Sequence, residues 1–573
     1  MGTVVMNNRL GLSEYTLSQF FDKVIDKYGA NPALAVAGEE PLTYAEFGQM
    51  VGDVRETLKQ LGLKRQDKVV ILGQGSPNWT VAFMAVTTMG AVAVPVMDEF
   101  PEVDIEHIIY HSDAAAIFIT ESLYQSLNLP SLEQIKIILS LDSLLLLSEE
   151  PQAPSRWKIP GRTKQSRPQP DQETAQIEED DLAEILYTSG TTGHSKGVML
   201  THKNLITNLI AGPEILGFID EDTVLLGILP LAHAFGLITT LSAIYSGASI
   251  HYLDKKPSPK ILLKAMQQVK PTVIGAVPLV FEKIYHRQVL PTLTKNPILR
   301  TLSKLTFTKK LLYRIIGRKI MEAFGGRLEG IFIGGASLNH EIEVFMRAGK
   351  IPYVCGYGLS ECSPVVTASS IEESKIGSVG HTIPEGLVKI HEPDQESGIG
   401  EILVKGPNVM LGYYKNEAAS SEVFTEDGWL ITGDRGCLDK DDFLYIKGRS
   451  KNVIIGPSGE NIYPEVIEDK LKESLYVEEA LAYQLDGQLV ARIYPDYSYI
   501  QSLATNKDEN VIASDIVDIL EEVRQDVNTR LPTFSRIQKM IEQPTPFIKT
   551  PTKKIKRAEY VPGYLTSTSI DEG

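Results

Sequence analysis

The sequence predicts an α/β protein: a large N-terminal domain of helix-covered β-sheets, followed by a smaller domain of different texture. Three observations carry this. From about Leu17 to about Glu385, segments with apolar residues at helical spacing alternate with short apolar runs, the pattern of parallel strands joined by helices. At 573 residues, the chain exceeds what one hydrophobic core usually serves, so at least two domains are expected. After "GDRGCLDKDDFLYIKGRSKNVII", short strands and acidic helices such as "ASDIVDILEEVRQDVNTRL" take over. The boundary is placed near Arg449 to Lys451, giving domains at 1–450 and 451–573.

Each element has its own warrant. "LSQFFDKVIDKYG" repeats apolar residues at helical spacing, and "KVVILG" reads as a strand. The uncharged "WTVAFMAVTTMGAVAVPV", residues 79–96, has the length of a membrane span, but Gly90 and Pro95 interrupt it. It reads better as a buried helix followed by a buried strand. The Pro-rich "EEPQAPSRWKIPGRTKQSRPQPDQETAQ" is expected to be an exposed excursion. "LAEILY" reads as a strand and "GVMLTHKNLITNLI" as strand then helix, with Thr201 at the helix N-cap.

Between those elements lies "YTSGTTGHSKGV", residues 187–198, which puts three glycines, five Ser or Thr and one lysine into twelve positions. Backbone amides and hydroxyls beside one fixed charge suit phosphate oxygens. Composition alone would equally fit a flexible linker, but regular elements on both sides favour a binding loop. It departs from the common P-loop, because Lys196 lies between Ser195 and Gly197 with no hydroxyl following it. A metal ion accompanying the phosphates must therefore be held elsewhere.

Apolar content of 43% and charged content of 23% are ordinary for a soluble globular protein. The net charge of −17 argues against nucleic acid as a partner, since no global positive field gathers phosphates. Cys355, Cys362 and Cys437 form neither a close metal-ligand pair nor a disulfide framework and fit a reducing cytoplasm. "MGTVVMNNRLGLSEY" lacks the pattern of a secretory signal, so a cytoplasmic location is expected.

Further motifs are weak one at a time. Glu361 in "GYGLSECSPVV" could be a surface carboxylate, Asp434 in "TGDRG" a turn aspartate, and Arg449 in "GRSKNVII" a salt-bridge partner. "IKTPTKKIKR" could be a solvated tail. In this order, however, they resemble the adenylate-forming superfamily of acyl-CoA synthetases, non-ribosomal adenylation domains and luciferases. The resemblance runs from "PLTYAEF" and "GSPNWTVAFMAVTTMGAVAVPV" through "YTSGTTGHSKGV", "LPLAHAFG", "GGAS", "GYGLSE", "TGD", "GRSKNVII" and "GENIYPEVIE" to "KTPTKKIKR". The texture is most similar to bacterial long-chain fatty-acid–CoA ligases.

The resemblance implies a mobile α+β C-terminal lid and two half-reactions. A carboxylate and ATP give acyl-adenylate and pyrophosphate, and a thiol, normally coenzyme A, then displaces AMP. An acyl-AMP ligase or acyl-carrier-protein synthetase would share the adenylation residues and differ in acceptor. Thr188, Ser189, Gly190, Thr191, Thr192, Gly193 and Lys196 would hold the β- and γ-phosphates, and Glu361 the Mg2+ ion, an oxygen ligand for a hard cation. Asp434 and Arg449 would bind the ribose hydroxyls, and Gly334, Gly335 and Ala336 with Gly356, Tyr357 and Gly358 would line the adenine. The catalytic lysine aligns with Lys554. Lys553 precedes it where the family commonly has glycine, which leaves both open, and the downstream "IKR" favours Lys554. Lys451 matches the hinge, about which the lid would withdraw Lys554 and bring in "GPSGEN".

Amino-acid-activating relatives carry an aspartate after the "LPLAH" block. Ala234 and Phe235 stand here, so an α-amino acid would lose its ion pair. The small and aliphatic segments "GILPLAHAFGL" and "IGAVPLVF" suit an apolar acyl chain, with His233 as its gate or simply a buried histidine. Finally, "KNPILRTLSKLTFTKKLLYRIIGRK", residues 295–319, concentrates basic residues without an acid. It reads either as a solvated helical face or as a peripheral contact with the anionic inner face of a membrane.

Overall fold

In the computed structural model, residues 8–128, 130–147, 177–188, 195–294, 297–303, 305–456, 460–503, 509–550 and 553–562 are described. The Pro-rich stretch, nearly all of the glycine-rich loop, the middle of "GPSGEN", Lys295 and Lys304 lie outside them.

Local chemistry starts the helices where the sequence places them. The Thr16 side chain accepts from the Gln19 amide and caps helix Leu17–Tyr28, whose Phe20, Phe21 and Val24 turn inward. Thr43 and Glu46 form a capping box on helix Tyr44–Gln60. The uncharged stretch is core: helix Pro77–Thr88 is buried on every side, and strand Val92–Val96 is buried throughout. Among the described residues no helix is long and apolar enough to cross a membrane.

Two seven-stranded sheets form the large part of the molecule. One runs, in spatial order, Val354–Cys355, Gly330–Ile333, Val273–Ala276, Val224–Gly227, Ser249–Tyr252, Pro32–Val36 and Leu42–Thr43, and only the last strand is antiparallel to its neighbour. The other runs Gly412–Tyr413, Lys196–Thr201, Leu182–Thr188, Val92–Val96, Lys68–Leu72, Ala114–Ile119 and Ile137–Ser140. It is parallel from Leu182–Thr188 onward, but the first three strands are antiparallel to one another. Alternation of helix and strand predicted the parallel part. It missed the antiparallel edge, where a short connection makes Leu182–Thr188 and Lys196–Thr201 a hairpin and Gly412–Tyr413 joins from far along the chain.

A four-stranded antiparallel sheet, Leu387–His391, Gly400–Lys405, Leu430–Leu438 and Leu444–Arg449, follows. Beyond it, strands Val477–Leu485, Gln488–Pro495 and Lys539–Glu542 pack against helices Pro464–Leu471 and Glu509–Thr529. Their apolar cluster, with Ile462, Leu471, Ile493 and Val527, is separate from those of the preceding sheets. The two parts touch where the Ser337 hydroxyl donates to Asp469 Oδ2 and Asn339 Nδ2 to the Asp469 carbonyl, each at 3.0 Å.

Candidate active site

Strands Leu182–Thr188 and Lys196–Thr201 close the glycine-rich loop at the pair Thr188–Lys196, which therefore stand side by side at its base. Ser189, Gly190, Thr191, Thr192 and Gly193 lie outside the described residues. The Lys196 ammonium sits 4.9 Å from the centre of the Tyr413 ring. Tyr413 belongs to the strand paired with Lys196–Thr201, and its hydroxyl donates to Glu361 Oε1 at 2.9 Å. Burial first, then the Glu361 charge, pushes the Tyr413 phenol well above its usual pKa, so it remains a donor. One aromatic side chain thus joins the loop lysine to the carboxylate expected to hold metal.

Glu361 sits in a single 3-10 turn, Ser360–Cys362, and its carbonyl accepts from the Met410 amide at 2.9 Å. Two buried asparagines hold the segment that follows. Asn208 Nδ2 donates to the Cys362 carbonyl at 2.9 Å, and Asn208 Oδ1 accepts from the Val365 amide at 2.8 Å. Asn408 Nδ2 donates to the carbonyls of Cys362 and Val365 at 3.1 and 3.0 Å. Gly358 is required by space, since a Cβ there would lie 2.1 Å from the Pro364 carbonyl oxygen. The asparagines were not singled out in the sequence. Asn204 and Asn208, one turn apart on helix His202–Leu216 and both buried, were the available signal.

Asp434 and Arg449 are a cross-strand pair in the four-stranded sheet. The Arg449 Nε–Asp434 Oδ1 distance is 2.7 Å, and the Tyr357 hydroxyl donates to Asp434 Oδ2 at 2.7 Å. Asp434 therefore lies in a strand and not in a tight turn, with both carboxylate oxygens engaged. Burial disfavours the Arg449 charge, but Asp434, Tyr357, Glu361 and Glu465 together outweigh it and raise the pKa. Lys451 occupies the 3-10 turn Ser450–Asn452 immediately after. Burial, then Arg449 and Lys196, lower its pKa.

The segment around Lys554 is a turn and not a solvated tail. The Thr550 amide donates to the Lys554 carbonyl and the Lys553 amide to the Thr550 carbonyl, each at 2.8 Å. Arg557 fixes it by two bonds to buried Glu468, at 2.6 and 2.8 Å. A salt bridge cannot be read from spacing when its partners are 89 residues apart. The surrounding protein, then the Arg449 guanidinium, lower the Lys554 pKa, while Asp434 and Glu361 raise it. Lys554 is also felt at His233, which burial first and this charge second push down to about 4. His233 is thus neutral near pH 7, with Nδ1 accepting from the Phe235 amide at 3.2 Å to cap helix Ala234–Tyr245.

The Phe235 ring lies against Gly334, the first residue of "GGAS", which follows strand Gly330–Ile333. Behind Phe235, a narrow crevice between helix and sheet is lined by Leu226, Gly227, Ile228, Leu229, Gly236 and Thr239, without a charged side chain. Gly236 cannot carry a Cβ, which would meet the Pro230 carbonyl oxygen at 2.1 Å. Among the described residues no three His, Cys, Asp or Glu side chains cluster as a metal site. Glu361, with one oxygen on Tyr413, could offer the other to a cation near the loop lysine that rests on the same ring. That fits a cation shared with phosphate oxygens better than a cation caged by protein.

The fold and this cleft define a two-part α/β protein in which lysines and an arginine gather around Glu361 and Asp434, beside a narrow apolar crevice. The chain belongs to the AMP-binding enzyme family, whose model matches residues 21–414. Among relatives, the long-chain-fatty-acid–CoA ligase FadD15 of Mycobacterium bovis is 29% identical over 563 residues, covering 90% of each chain. The peroxisomal long chain acyl-CoA synthetase 6 of Arabidopsis thaliana is 27% identical over 564 residues, covering 90% of this chain and 79% of the relative. Of solved structures, the anthranilate CoA ligase AuaEII with anthranoyl-AMP is similar with a TM-score of 0.74, at 18% identity and 97% and 98% coverage. The O-succinylbenzoate coenzyme A synthetase of Bacillus subtilis with AMP reaches 0.71, at 22% identity and 94% and 97% coverage. These two likenesses concern the fold.

Proposed function

We propose that the protein is an ATP-dependent fatty acid–CoA ligase that passes through an acyl-adenylate, with residues 451–573 acting as its lid. The observation that carries the reading is the clustering of Lys196, Arg449, Lys451 and Lys554 near Glu361 and Asp434, where burial first and Arg449 next lower the Lys554 pKa, and burial first, then Arg449 and Lys196, lower that of Lys451. Positive charge held together against its own repulsion suits a triphosphate. The similarity to long-chain ligases supports an apolar acyl chain; the crevice behind Phe235 has an uncharged lining but is too narrow in this structure to hold such a chain.

A fatty acid has a pKa of about 4–5 and enters ionised, so the first step needs no general base. A carboxylate oxygen attacks the α-phosphorus of ATP, and the bond to the pyrophosphate oxygen breaks. The obstacle is anion approaching anion, so catalysis is positioning plus fixed positive charge. Thr188, Lys196 and the loop between them take the β- and γ-phosphates, and Asp434 and Arg449 take the ribose hydroxyls. The stretch Gly334–Ala336 with Gly356–Gly358 faces the adenine. Lys554 bridges the acyl carboxylate and the α-phosphate. Mg2+, when bound at Glu361, supplies further neutralisation of phosphate charge. In the second step the thiol sulfur of coenzyme A attacks the acyl carbon and AMP leaves.

The test is pyrophosphate release and thioester formation over a panel of saturated acids of increasing length, with and without coenzyme A. Adenylation that prefers long acids, followed by thioester only with coenzyme A, is the expected result. Thioester formed only on a carrier protein would move the acceptor, and no pyrophosphate with any carboxylate would overturn the proposal. Lys554→Ala should lower adenylation by roughly 100- to 1,000-fold, the scale of losing one preorganised electrostatic contact. It should spare conversion of supplied acyl-adenylate, while Lys553→Ala should leave both steps near parental.

A further inference from the structure

We propose that the outer face of helix Thr306–Ala323, with the short helix Pro297–Leu302 before it, docks on an anionic lipid bilayer. The inference rests on this surface alone and stands whether or not the substrate is a fatty acid. The inward face of the helix is fixed: Tyr313, Gly317 and Ile320 are buried. Gly317 lies so close to the neighbouring helix end that a Cβ would be 2.3 Å from the Gly349 carbonyl oxygen. Phe307, Leu311 and Ile315, spaced four apart, therefore form a stripe on the opposite side. They are 83%, 51% and 50% exposed, and Leu305 at 61% and Ile298 at 70% are exposed large apolar residues just before them in the chain. Single exposed apolar residues need no explanation, but an aligned row of large ones does.

Charge specifies the occupant. Arg300, Lys309, Lys310, Arg314, Arg318 and Lys319 accompany the stripe, and Lys295 and Lys304 lie outside the described residues. The sequence has no acid from 295 to 321, within a chain of net charge −17. Two cations are partly occupied: Arg318 pairs with Glu322 at 3.0 Å, and Lys309 lies 3.7 Å from Glu341. Lys310, Arg314 and Lys319 leave a positive excess. The exposed face interleaves large apolar side chains with cations. It suits a soft interface, where the apolar row enters the acyl boundary and the cations meet lipid phosphates.

Each basic residue near such a surface contributes about a fivefold change in partition, screened as salt rises. The test is sedimentation of the full chain with vesicles of phosphatidylglycerol and phosphatidylcholine, or of phosphatidylcholine alone, at about 0.05 M and about 0.5 M salt. The parent should pellet with the anionic vesicles at low salt, less at high salt, and little with the neutral ones. Lys310→Gln with Arg314→Gln should lower partition by roughly 25-fold, two charges at about fivefold each. Phe307→Ser with Leu311→Ser should lower it at least as far. Both variants should keep parental adenylation of a short soluble acid, which separates lost docking from lost folding or a wrong substrate. The proposal is overturned if the parent stays in the supernatant with anionic vesicles at low salt. It is also overturned if the apolar variant binds like the parent, or if that variant instead abolishes a dimer, which would make a second copy the occupant.

Discussion

Asn208→Ala removes a side chain that touches no substrate in the proposed reaction, yet it should weaken both the fold and adenylation. Two bonds are lost: Nδ2 to the Cys362 carbonyl and Oδ1 from the Val365 amide. They are not equivalent. The Cys362 carbonyl keeps the bond from Asn408 Nδ2, so it loses one of two partners at a cost of about 0.5–1 kcal/mol. The Val365 amide is left without its acceptor, and an orphaned, largely buried donor costs about 1–3 kcal/mol. The sum is about 1.5–4 kcal/mol, large against the stability of most domains. Because Cys362 follows Glu361 directly, the carboxylate should lose its fixed position, and a misplacement of about 1 Å can cost on the order of 100-fold in rate. Urea unfolding and pyrophosphate release, measured on parent and variant, read the two effects. In the double variant with Asn408→Ala the Cys362 carbonyl loses both donors, so the combined loss should exceed the sum of the singles. A change below about 1 kcal/mol together with parental adenylation would refute the reasoning, because it would mean the turn is held by something else.

Further outcomes follow from the same structure. Glu361→Gln keeps the volume and removes the charge, so adenylation should fall strongly and its magnesium requirement should shift to higher concentration; an unchanged magnesium titration would place the ion elsewhere. Lys451→Pro fixes φ near −65° in the turn between Arg449 and Val453. It should slow thioester formation more than adenylation, and an unaltered ratio of the two rates would put the pivot elsewhere. Glu184 is 1% exposed, neither carboxylate oxygen has a hydrogen-bond partner among the described residues, and burial raises its pKa from 4.5 to about 8. The folded state therefore holds a proton that the unfolded chain releases above pH 4.5, so this group lowers stability as pH rises from there to about 8. Glu184→Gln should be near neutral at pH 5 and stabilising by about 4 kcal/mol at pH 8, at ~1.4 kcal/mol per pH unit. Denaturation of both proteins at the two pH values checks the sign, and an equal effect at both would refute it.

Much of the fold was legible because its signals are local. Apolar spacing located helix Leu17–Tyr28 and strand Lys68–Leu72, and Gly90 with Pro95 divided an uncharged run into helix Pro77–Thr88 and strand Val92–Val96. Thr201 announced the start of helix His202–Leu216 because a cap needs only the residues beside it. The residues around the cleft were legible too, since glycines, hydroxyls, a lysine and a carboxylate in a fixed order are a statement about chemistry.

What the tertiary structure alone decided is which groups answer to which. Nothing near Lys196 in sequence announces that its ammonium rests on the ring of Tyr413, or that the same phenol holds Glu361. Asp434 and Arg449 were expected near one ribose, but their pairing across two strands depends on sheet register. Whether Lys553 or Lys554 meets the cleft depends on a turn anchored by Arg557 on Glu468, a contact between distant segments. The basic run at 295–319 was visible as composition, while only packing could show that Gly317 turns inward and leaves Phe307, Leu311 and Ile315 outside. The sequence by itself determined the elements and the chemical repertoire, because propensity, capping and apolar period act over a few residues. Tertiary structure decided partners, exposure and pKa, because these depend on which distant surfaces are pressed together and which are left to water.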